Sequence, residues 1–81
     1  MLMAVRVELT PLLRKYVQDY DHDKGLVIED GEGKAVRKII KELGIPPDRV
    51  FTVLVNHLPS QPSYLLKDGD LVTLSMVLGG G

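Results

Sequence analysis

Residues Ala4 to Leu9 alternate apolar and polar, with Val5, Val7 and Leu9 on one side and Arg6 and Glu8 on the other, the period of a half-buried strand. Thr10-Pro11 then supplies an N-cap type followed by a proline suited to the first helical position, which predicts a short helical segment over Leu12 to Val17. After a polar loop from Tyr20 to Gly25, Leu26-Val27-Ile28 is β-branched at two positions and closed by Asp30-Gly31, so it reads as a second strand. Val36, Ile39, Ile40 and Leu43 recur at i, i+3, i+4 and i+7, predicting the main helix from about Lys34 to Leu43. Gly44 and Pro46-Pro47 mark its end. A third strand is expected over Val50 to Asn56 and a last one over Leu71 to Val77. Between them lie a loop carrying Pro59 and Pro62, the pair Leu65-Leu66 and a Lys67-Asp68-Gly69-Asp70 turn. One helix to cover one sheet face makes an α+β mixed sheet the economical architecture.

Composition sharpens this picture more by exclusion than by addition. At 81 residues the chain suits one thin-cored domain, expected to span 1–81 with a flexible tail over 78–81. Apolar residues at 44% and charged residues at 26% are a globular mixture, and 5% aromatics leave the core to Val, Leu and Ile. A net charge of −1 supplies no field for nucleic acid or anionic lipid. No apolar run approaches a membrane span, and MLMAVRVE places charge too early for a secretory segment, so a cytoplasmic protein is expected. Without cysteine there is no disulfide framework, thiol nucleophile or Cys-based metal site.

Asp19, Asp21, Asp23 and Asp30 superficially copy a calcium loop. Lys24 occupies the position that needs glycine, and Asp30 the one that needs a bidentate Glu, so the stretch reads as a solvated acidic loop and no metal is expected. His22 and His57, the two imidazoles, have no Ser or Cys at a triad spacing; Asn56-His57 is explained by a turn at a strand end. The basic face of the main helix, with Arg37, Lys38 and Lys41, has the composition of a solvated face and also that of a dock for an acidic partner.

The terminal run VTLSMVLGGG carries the remaining chemistry. Gly79, Gly80 and Gly81 extend by only about 10 Å, too little for a linker but enough to push a terminus into a narrow site. Without Cβ atoms such an end passes a tight channel with its carboxylate foremost, ready for activation as an acyl-adenylate.

Taken together, VRVELTPLLRKY, VLVNHLPSQPSYLLKDGDLVTL and the Gly80-Gly81 end resemble the MoaD/ThiS sulfur carriers, a family with the ubiquitin-like β-grasp fold. The resemblance implies a mixed sheet of four to five strands with one main helix across one face. It implies a carrier that is not itself an enzyme. Its Gly81 would be adenylated by an E1-like enzyme using ATP and converted to a thiocarboxylate with sulfur from a donor enzyme. No tightly bound cofactor is expected. Gly80 would give steric clearance, and Gly79, Leu78 and Met76 would join it in contacting partners. The molybdopterin synthase large subunit is the favoured acceptor, with thiazole synthase as the alternative and a ubiquitin-like modifier or interaction module as the reading from another class. Three departures stand out. Met76-Val77-Leu78-Gly79 replaces the Pro-Pro-Val-X that often precedes the terminal glycines in the molybdopterin branch. His57 replaces the usual turn glycine, and Lys34 stands where a helix-capping Thr is frequent.

Overall fold

The alternation of Val5, Val7 and Leu9 becomes strand β1 (Val5–Leu9), whose apolar side is buried against the core. The computed structural model describes residues 4–18, 20, 21 and 23–76. β1 runs antiparallel to β2 (Leu26–Ile28) on one side, and parallel to the last strand, Leu71–Ser75, on the other. That last strand pairs antiparallel with β3 (Thr52–Val55), which in turn pairs with the two-residue β4 (Leu58–Pro59). Numbering Leu71–Ser75 as β5, the sheet order is β2-β1-β5-β3-β4. This mixed five-stranded sheet with one main helix is the expected β-grasp.

The register stacks one apolar face. Val7 lies opposite Val72 and Leu9 opposite Leu74, while Val53 and Val55 face Leu74 and Val72 across the other ladder. Onto that face packs α2 (Val36–Glu42) through Val36, Ile39 and Ile40. Leu13 from the short helix α1 (Pro11–Arg14), together with Ile45 and Leu66, completes the cluster. Each of these side chains is worth about 1.5–3 kcal/mol when fully buried.

α1 starts at Thr10-Pro11, as the sequence predicts, but ends at Arg14 rather than Val17. Thr10 holds the N-cap position of α1 but makes no side-chain cap. α2 begins two residues after Lys34, with Ala35 at its N-cap position and again no side-chain cap. Its first amides are satisfied from a distance instead: Val36 N–H donates to the Tyr64 carbonyl at 3.0 Å and Arg37 N–H to that of Pro62 at 2.9 Å. Lys34 is used differently, its ammonium bridging Asp30 at 3.2 Å and Glu42 at 3.0 Å.

The helix end follows expectation in detail. Gly44, at φ +78°, donates to the Lys41 carbonyl, and Ile45 N–H reaches back to Ile40, the paired bonds of a Schellman motif closed by the buried Ile45 side chain. Pro47–Arg49 continues as a 3-10 turn. β4, read in the sequence as loop, lies at the sheet edge, where a proline is tolerated. Asn56 and His57, both at positive φ (54° and 68°), form the tight β3–β4 connection.

Candidate functional site at the end of the central strand

β5 is the middle strand of the sheet, so its direction and end point are fixed from both flanks. On the β1 side, Thr10 N–H donates to the Leu74 carbonyl at 3.1 Å, and Met76 N–H donates to Thr10 Oγ1 at 3.3 Å. The hydroxyl left unused by α1 therefore extends the anchoring of the chain one residue past the strand. On the β3 side, Phe51 N–H donates to the Ser75 carbonyl at 3.0 Å. Met76 is half-buried against the core, so only part of its side chain is free for a partner. Leu78, Gly79, Gly80 and Gly81, the other expected site residues, lie outside the described residues.

Around the exit stand groups that sequence reading passed over. Phe51 is 60% exposed beside Ser75, an aromatic surface at the end of β5 that a Val-rich context made look like strand core. Tyr20 accepts the Leu9 N–H on its hydroxyl at 2.9 Å, while Arg14 donates from Nε to the Leu9 carbonyl and lies 5.1 Å from the Tyr20 ring centre. These contacts tie α1 and the following loop to the end of β1.

Of the other candidates, Asp21, Asp23, Asp30 and His57 lie among the described residues. Asp21 Oδ1 accepts the N–H groups of Asp23 and Lys24 at 2.8 and 3.0 Å, a local turn that uses this oxygen. Asp30 is engaged by Lys34, whose ammonium holds its carboxyl below the usual carboxylate range. Among the described residues no three His, Cys, Asp or Glu side chains come together as a metal site. His57 is exposed in its turn; His22 and Asp19 lie outside the described residues. Among the described residues no helix is long and apolar enough to cross a membrane.

The family model for Mut7-C ubiquitin matches residues 2–76. The chain belongs to the Mut7-C ubiquitin family. Its relation to that family therefore concerns the body up to Met76, and the glycine run is judged on its own chemistry. The solution structure of Urm1 from Trypanosoma brucei is similar over 98% of this chain and 96% of that one, with a TM-score of 0.71 at 19% identity. At that identity the likeness is one of fold, and it agrees with the β-grasp topology. No curated protein matches the chain. As a member of a ubiquitin-like family, this Mut7-C ubiquitin domain meets the broader part of the sequence resemblance; the MoaD/ThiS assignment is finer than the match.

Proposed function

We propose that this Mut7-C ubiquitin domain is a sulfur carrier whose working group is the carboxylate of Gly81. The observation that supports the reading is the exit of β5: a central strand, anchored through Thr10 and Phe51, leads into Met76, with Val77-Leu78-Gly79-Gly80-Gly81 next in the chain. In the reaction the Gly81 carboxylate attacks the α-phosphorus of ATP on an E1-like partner and pyrophosphate leaves. A hydrosulfide equivalent from a donor enzyme then adds to the acyl carbon and AMP departs, leaving a thiocarboxylate. The chain's own contribution is placement. Gly80 and Gly79 have no Cβ to meet a channel wall, while exposed Phe51 and half-buried Met76 offer apolar surface by which a partner grips the body.

Molybdopterin synthesis is the favoured destination, because the short α1 after β1 and the Leu66-Lys67-Asp68-Gly69-Asp70 turn resemble that branch; thiazole synthesis is the alternative acceptor. A second reading rests on the body alone, which the family match covers over residues 2–76: the folded domain acts as a ubiquitin-like modifier or interaction module.

ATP–pyrophosphate exchange with an E1-like enzyme tests the choice. Exchange with the native chain and its loss on adding one alanine after Gly81 support the carrier. Equal exchange by the extended chain contradicts it.

A further inference from the structure

We propose that the outer face of α2 is a docking surface for an acidic peptide segment of a partner protein. The helix commits Val36, Ile39 and Ile40 to the core and turns Arg37, Lys38 and Lys41 to solvent. Arg37 and Lys41 are four residues apart and Lys38 and Lys41 three, so the cations form one patch in which like charges are neighbours. That arrangement works against an isolated helix, for which opposite charges at those spacings are the stabilising choice. Lys38 does have an acidic residue at i+4, Glu42, but Glu42 is taken by Lys34 at 3.0 Å. Asp30, near enough to feel the charge of Lys38, is also held by Lys34. Among the described residues Arg37, Lys38 and Lys41 make no ion pair. A chain of net charge −1 thus carries a local positive surplus that its own carboxylates leave unmatched.

The shape suits a short extended segment. Arg37, Lys38, Lys41, Glu42 and Pro47 line a shallow groove of about 990 Å³ between α2 and the 3-10 turn. One helical turn separates Arg37 from Lys41, a rise of about 6 Å. Side chains two apart on an extended peptide point the same way at about 6.6 Å, so a Glu-X-Glu segment matches the spacing. The Pro47 ring and the aliphatic stems of the basic residues give it apolar contact. A long polyphosphate backbone fits less well, because exposed Glu29, Asp30 and Glu32 precede the helix in the sequence and the chain as a whole is not basic. The inference is independent of the fate of Gly81.

The test is fluorescence anisotropy of the full chain with a short fluorescein-labelled peptide containing Glu-Ala-Glu. Saturable binding is expected, weakened about tenfold or more by K38E/K41E and strongly by added salt. In the unaltered protein, amide shifts on peptide addition should centre on Arg37, Lys38, Lys41 and Asp48, a readout that does not depend on the variant folding. Absence of saturable binding, equal binding of a Gln-Ala-Gln peptide, shifts centred elsewhere, or tighter binding of a short single-stranded oligonucleotide would each overturn the proposal.

Discussion

Asn56 Nδ2 donates to Asp70 Oδ1 at 2.9 Å and so clasps the β3–β4 turn to the turn that starts β5. Asp70 is 7% exposed and accepts two further bonds on Oδ2, from Lys67 N–H at 2.8 Å and the Tyr64 hydroxyl at 3.4 Å. Asn56 completes the clasp by accepting Leu71 N–H at 3.0 Å on Oδ1. A carboxylate this buried is tolerable because its oxygens are matched by donors. Removing it strands those donors, so Asp70→Ala is expected to lower stability by about 2–3 kcal/mol and Asn56→Ala by about 1–2 kcal/mol. The double variant should lose less than the two together, since one interaction is counted in both. Urea unfolding with unchanged slope provides the measurement.

His57 occupies the left-handed region at φ 68° with its side chain exposed. A residue with a Cβ is strained there by about 1–2 kcal/mol, partly offset by glycine's greater freedom when unfolded. His57→Gly should therefore raise stability, by about 1 kcal/mol, read as a higher urea midpoint. A lower midpoint would show that the imidazole makes a contact of value.

The Lys34 bridge predicts a pH signature. Hydrogen bonding and charge attraction from Lys34 lower the Asp30 pKa, and bonding from Glu42, ahead of that from Asp30, raises that of Lys34. The depressed carboxyl stabilises the fold above the ordinary carboxylate pKa of about 3.9, and that contribution is lost as pH falls through the lowered value. The elevated ammonium contributes below the ordinary lysine pKa of about 10.4 and loses its contribution as pH rises through the raised value. In Lys34→Met, the Asp30 carboxyl carbon should titrate by NMR at higher pH than in the native chain. An unchanged midpoint would contradict the bridge.

Gly25 is the close approach that the polar loop conceals. Its φ is +73°, and a Cβ there would lie 2.6 Å from the Val7 carbonyl oxygen, backbone that cannot swing aside. Gly25→Ala should cost about 2–4 kcal/mol, combining left-handed strain with a clash at the β1–β2 ladder. A calorimetric transition close to native would show that the loop relaxes freely.

These features divide by the range over which they act. Val5, Val7 and Leu9, the Val36-Ile39-Ile40 stripe and the Gly44 stop were legible because each depends on neighbours within a turn or two. The start of α1 was legible in Thr10-Pro11, but the use of the Thr10 hydroxyl was not, because it serves Met76; α2 begins two residues later than its pattern suggests, and its amides are met at long range, Val36 by Tyr64 and Arg37 by Pro62. β4 escaped notice because two residues ending in proline carry no period. At the exit, the exposure of Phe51 was not legible, since an apolar residue beside a strand looks the same whether it faces core or solvent. Asn56 and Asp70 were visible as turn residues, yet their bond spans fourteen positions and no local pattern announces it.

The most direct measurement of the carrier reading is the intact mass of the native chain after co-expression with an E1-like enzyme and a sulfur donor. The account predicts a species with Gly81 as its last residue and a mass gain of about 16 Da, one oxygen replaced by sulfur on the terminal carboxylate. An unmodified terminus under those conditions, or chains found only as lysine-linked conjugates, would contradict it.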